Sequence, residues 1–130
     1  MTAQTQRPLS PHLQVYRLPM TAVLSITHRI TGAVLMGGLF LLAGWLIAAA
    51  LGEESYNHAM ALAQSPFGLF VLFGWSACFY YHLCNGIRHL IWDTGRLFKL
   101  EHAAIANWVV LAGAAALTLA TWLIVCRETL

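Results

Sequence analysis

Three charge-free apolar runs, Ile30 to Leu51, Pro66 to Ile87 and Ala103 to Cys126, decide the class of fold open to this chain. They hold 22, 22 and 24 residues, and an α-helix needs about 20 apolar residues to cross the hydrocarbon core of a bilayer. Within lipid a segment must satisfy its own N–H and C=O groups, so each run is predicted to be a helix. Hydrophobic residues make up 59% and charged residues 9% of the 130-residue chain, which excludes an ordinary soluble domain. The expected fold is an all-α membrane protein with three transmembrane helices. It forms one membrane-anchor domain over 1–130, with an N-terminal surface segment at 1–21 and spans at about 22–51, 66–93 and 103–126.

The ends of the spans orient them. Arg7, Arg17, Arg29, Arg88, Arg96 and Lys99 lie before the first span or near the connection between the second and third, and Arg127 alone lies on the other side. The positive-inside bias then puts the N-terminus in the cytoplasm or matrix, and the Glu53, Glu54 loop and the C-terminus on the outer side. The net charge of +2 reflects this topology and gives no case for nucleic acid. Pro8, Pro11 and Pro19 keep the leading segment from continuing the first helix, which is expected to begin near Ala22. The first apolar run exceeds the core of a cleavable signal peptide, and no Arg-rich, Ser-rich amphipathic transit helix precedes it. The expectation is a bacterial chain, or a mitochondrial one already mature. The stretch from Gly52 to Ser65 reads as a short loop, with Pro66 early in the second helix. Small residues four apart (Ala33 and Gly37, Gly44 and Ala48, Ala112, Ala116 and Ala120) are expected to let helices pack closely. Cys78, Cys84 and Cys126 lack metal-type spacing and read as packing residues.

His82 lies five positions, about 8 Å of helix rise, inside the last charge-free residue of its span. An ionisable side chain at that depth is a functional-site hypothesis, the alternative being a neutral histidine hydrogen-bonded to a neighbouring helix. His82, Gly86, His89 and Asp93 share one helical face, and Gly86 opens it one turn below His82. A haem needs such a gap beside its axial ligand, and its propionates need cationic or hydrogen-bonding groups nearer the interface. His89, Arg88, His28 and Arg29 stand at about that level. His28 and His89 are expected near the inner boundary, and His12, His58 and His102 outside the spans. A second axial histidine would then come from another polypeptide. Ser25, His28 and Arg29, at i, i+3 and i+4, bring a hydroxyl, an imidazole and a fixed charge to the inner surface. Those groups suit a quinone, whose carbonyls take hydrogen bonds and gain negative charge on reduction; headgroup anchoring is the alternative.

The segments Arg7-Pro8-Leu9-Ser10-Pro11-His12-Leu13, Ser25-Ile26-Thr27-His28-Arg29-Ile30-Thr31-Gly32 and His82-Leu83-Cys84-Asn85-Gly86-Ile87-Arg88-His89-Leu90-Ile91-Trp92-Asp93 together resemble the cytochrome b membrane-anchor subunit of succinate dehydrogenase, complex II. The resemblance covers all three spans in order. It implies that His82 is the haem b axial ligand, that the opposite ligand comes from a second anchor subunit, and that Ser25 and Arg29 line the ubiquinone site. His28, Arg29 and His89 would support the haem propionates, and Asp93 resembles the family's aspartate on the quinone side. The Ser10–Leu13 segment would pack near the iron-sulfur subunit. The implied function is a haem b and quinone-binding anchor of succinate:quinone oxidoreductase in the bacterial inner membrane, or the mitochondrial one. It would pass electrons from the iron-sulfur subunit to ubiquinone and would not oxidise succinate alone. FAD and the iron-sulfur clusters would reside on the flavoprotein and iron-sulfur partners, and no residue here is assigned a catalytic role. A fumarate reductase anchor shares the pattern, and a cofactor-free structural anchor or small transport component is the reading from a different class.

Overall fold

The structure is a computed structural model that describes residues 16–97 and 99–129. It is all-helical over those residues: α1 covers Met20–Leu51, α2 Glu53–Ala63, α3 Pro66–Asp93 and α4 Leu100–Thr129. Three of these, α1, α3 and α4, are long and apolar enough to cross a membrane. The Ser10–Leu13 segment lies outside the described residues.

Local chemistry sets the helix ends. Pro19, in extended conformation, stands before α1, and its carbonyl accepts from the Ala22 amide at 2.9 Å. Ser65 caps α3 by accepting from the Gly68 amide at 3.0 Å, with Pro66 in the first turn. Gly95, at φ 80°, turns the chain out of α3 in a left-handed conformation that costs a residue with a Cβ.

The stretch between the first two spans is a helix rather than a loop. Glu53 and Glu54 occupy the first turn of α2, where carboxylates favour the helix dipole. Gly52, at φ 114°, makes the corner from α1. The segment packs against both α1 and α3, with Tyr56 on Trp45 at 6.1 Å between ring centroids.

α3 sits between α1 and α4 and packs most extensively on α4. Tyr80 bonds to Thr121 across that contact at 2.7 Å, and Trp122 Nε1 donates to Ser76 at 2.9 Å. The interior is more polar than the outside. Thr31, Asn85, Arg88, Asn107 and Thr118 are buried with Leu24, Val110 and Ala114, while Phe40 is 80% and Leu123 71% exposed. Such outward faces belong against lipid or partner helices.

The small-residue stripes do not make the contacts expected of them. Ala33, Gly37, Gly44, Ala112, Ala116 and Ala120 are exposed, because the face of α4 turned to α3 carries Asn107, Val110, Ala114 and Thr118. The close approach on α1 is at Gly38, where an added methyl would overlap the Trp75 indole. Gly38→Ala is therefore expected to destabilise the protein by about 1–3 kcal/mol through overpacking. Gly37→Ala, whose methyl meets nothing of this chain within 4 Å, should be near neutral. Thermal unfolding of the detergent-purified protein compares the two, and equal midpoints would refute the Gly38–Trp75 contact.

Candidate functional site

The early turns of α1 carry Ser25, His28 and Arg29, and α3 fastens them through residues spaced i, i+1 and i+4. The Tyr81 hydroxyl donates to the Leu24 carbonyl at 2.8 Å, and Asn85 Nδ2 reaches the same oxygen at 3.4 Å. His82 Nδ1 lies 3.1 Å from the His28 carbonyl and 3.2 Å from Thr31 Oγ1. A carbonyl only accepts, so the His28 contact puts the proton of a neutral His82 ring on Nδ1 and leaves Nε2 with its lone pair. Among the described residues Nε2 has no hydrogen-bond partner. Gly32 makes room for the ring, since a methyl there would come within 3.1 Å of His82 Cε1.

The His28 ring stacks on His82, with centroids 3.8 Å apart and an interplanar angle of 15°. The stack sets His28 directly against His82, a pairing that its expected place near the inner boundary did not include. α1 starts at Met20, so His28 is more than two turns inside the helix and opposite His82. Stacked face to face, the two rings could not give nitrogens to one iron from its opposite sides. The gap at Gly86 faces the same ring, His28 Cε1 being 3.8 Å from where a methyl would sit.

His89 continues the cluster, tilted 42° to His28 at 5.3 Å and edge-on to Trp92 at 5.2 Å. Arg88, at 2% exposure, is turned into the contact with α4. Its Nη1 donates to Asn107 Oδ1, and its guanidinium stands 4.4 Å over the Trp92 ring. Arg88 Nε and Nη2 and His28 Nδ1 are buried without a partner. Ser25 is half-buried, and Arg29 and Asp93 are exposed; the side chains of these three make no hydrogen bond or ion pair among the described residues.

The arrangement thus joins two of the sequence segments around His82, His28 and His89, and leaves Arg88 and Asp93 outside that cluster. Metal-ligating histidines ordinarily give their second N–H to a carbonyl or carboxylate, and His82 has that arrangement. No group of three or more His, Cys, Asp or Glu side chains among the described residues could hold a metal ion alone. An iron at His82 would therefore need its remaining ligands from outside the described residues. Sequence reasoning passed over Thr31, Tyr81, Asn85 and Asn107. Asn85 carried a signal, an amide at depth in an apolar helix. Thr31 stands one turn from His28, but nothing in the sequence matched it to His82.

Residues 3–121 match a family model described as the succinate dehydrogenase/fumarate reductase transmembrane subunit. The chain is 40% identical over 118 residues to the succinate dehydrogenase cytochrome b556 subunit of Paracoccus denitrificans, covering 91% of each chain. It is 38% identical over 117 residues to the same subunit of Rickettsia felis, covering 90% of this chain and 91% of the relative. The mitochondrial succinate dehydrogenase cytochrome B subunit of Schizosaccharomyces pombe is 38% identical over 114 residues, which span 84% of this chain and 63% of the relative. On this match and these identities, the chain belongs to the succinate dehydrogenase/fumarate reductase transmembrane subunit family.

Proposed function

We propose that this chain is the haem b and quinone-binding membrane anchor of a succinate:quinone oxidoreductase. It passes electrons from an iron-sulfur subunit to ubiquinone, in the inner membrane of a bacterium or mitochondrion. The observation that carries this reading is the tautomer of His82: Nδ1–H is held by the His28 carbonyl and Thr31, so Nε2 is free to ligate. Haem, when bound, supplies a one-electron centre. This chain's part is to hold the His82 ring through α1 and to present cationic or donor groups nearby. His28, Arg29 and His89 are assigned to the propionates. Arg88 Nε and Nη2 and His28 Nδ1 lack partners among the described residues, which supports contacts supplied from outside them.

Arg29, exposed and without an acidic partner among the described residues, is free to hold negative charge on a quinone oxygen, and Ser25 one turn away to donate a hydrogen bond. Asp93, exposed at the end of α3, is assigned to the quinone side of this reading without a defined role. The basic residues at this end of the bundle favour a cytoplasmic or matrix location for the N-terminus. The absence of an opposing ligand among the described residues supports a second anchor subunit that provides it. Succinate oxidation belongs to the flavoprotein partner, with FAD, and the clusters to the iron-sulfur partner.

Affinity purification from detergent-solubilised membranes tests the whole reading. The expected result is three partner chains, namely a flavoprotein, an iron-sulfur protein and a second small membrane protein, with a reduced-minus-oxidised haem b band. Purification as a lone, colourless chain from cells that make the partners would overturn it.

A further inference from the structure

We infer that Thr31 is a positioning residue for His82: by sharing the Nδ1 proton with the His28 carbonyl, it fixes the imidazole and lowers the reduction potential of the iron that Nε2 binds. This rests on the haem reading above and assigns a role to a residue outside the proposed ligand, propionate and quinone sets.

The hydrogen bonds around Thr31 are unlike those of Thr27, Thr118 and Thr121. Thr27, Thr118 and Thr121 donate to the carbonyl four residues back. Thr31 donates three residues back, to the His28 oxygen, at 2.9 Å. That is the oxygen His82 Nδ1 approaches at 3.1 Å. A hydroxyl has one proton and two lone pairs. With its proton on His28 O, Thr31 Oγ1 faces Nδ1 as an acceptor, at 3.2 Å. The Nδ1 proton is therefore shared by two oxygens that are bonded to each other. Thr31 is only 6% exposed, so water does not readily replace the hydroxyl. The wall of the ring's slot is Gly32, the next residue.

Acceptors at Nδ1–H move electron density toward Nε2 and raise its basicity as a ligand. A more basic axial ligand favours ferric over ferrous iron, so each acceptor lowers the potential. Thr31→Val keeps the shape of the side chain and removes one of the two acceptors. It also removes the hydroxyl proton that holds the His28 carbonyl in place. The His28 carbonyl remains, so the ring stays bound and the potential rises.

The test is a potentiometric titration of the haem band in the purified whole complex, with electron paramagnetic resonance of the ferric form. Parent, Thr31→Val and Thr31→Ser are compared at equal haem content. The expected result is a haem-replete Thr31→Val complex with an upward-shifted midpoint and altered ferric g-values, and a Thr31→Ser complex restored toward the parent. A Thr31→Val complex that keeps its haem with an unchanged midpoint and spectrum would overturn the inference. If Thr31→Val does not assemble, Thr31→Ala is read by the same two criteria. A parent complex without haem, or a His82→Ala complex that retains it unchanged, would instead sink the haem reading itself. That outcome is told apart because it appears before any Thr31 variant is made.

Discussion

His82→Ala is expected to strip haem b from the assembled complex, with the reduced-minus-oxidised band lost or reduced to a small residue of the parent's. On the proposed reading His82 bonds to the iron, and its Nε2 has no competing partner among the described residues. Loss of an outer-shell partner of a metal ligand typically lowers affinity by about 10–100-fold, and loss of the ligand itself should exceed that. His58→Ala and His102→Ala are the controls, since both histidines are exposed and lie outside the three-histidine cluster. Their spectra should match the parent's. An unchanged spectrum for His82→Ala, in a complex with all its subunits, would rule out His82 as the ligand.

Arg29→Leu should lower succinate–quinone reductase activity by about 10²–10³-fold, the usual effect of removing a group aimed at developing negative charge. Reduction of a soluble dye by the flavoprotein and iron-sulfur subunits should stay near the parent value. The side chain is exposed and makes no contact that holds this chain together, so the substitution should not disturb the fold. Ser25→Ala removes a single neutral hydrogen bond of about 1 kcal/mol and should cost several-fold. Arg29→Lys keeps the charge but not the planar fork and should fall between. Both assays run on one preparation settle the matter, because equal losses in the two would place the defect upstream of the quinone.

The spans were legible in the sequence because lipid permits so few backbone solutions. An uncharged run of more than 20 residues is its own evidence. The helix Glu53–Ala63 was not, because its glutamates, Asn57 and His58 mask any apolar period. The close contact at Gly38 was passed over for a related reason. Spacing reveals that small residues are present, and only the partner side chain, here Trp75, reveals which one is used. In the site, His82 announced itself by depth. Its neighbours Thr31 and Gly32 did not, because their role depends on how α1 and α3 are set against each other. The His28–His82 stack was hidden because sequence gives the height of each ring along its own helix but not the rotation that turns one helix's face to the other's.

A bundle with amides, hydroxyls and a guanidinium inside and leucines outside has an unusual mutational grammar. At Leu39, Leu46, Leu119 or Leu123, any large apolar residue should serve as well, and codon drift among leucine, isoleucine, valine and phenylalanine should go unnoticed. At Asn85, Asn107 or Thr118, a swap to a bulkier apolar residue strands a partner or fills a space cut to size. A library randomised at single positions and sorted for respiratory growth would then show its strictest positions where a hydropathy plot is least apolar. A water-soluble redesign of this fold would rewrite the leucine-bearing outside and leave that interior alone.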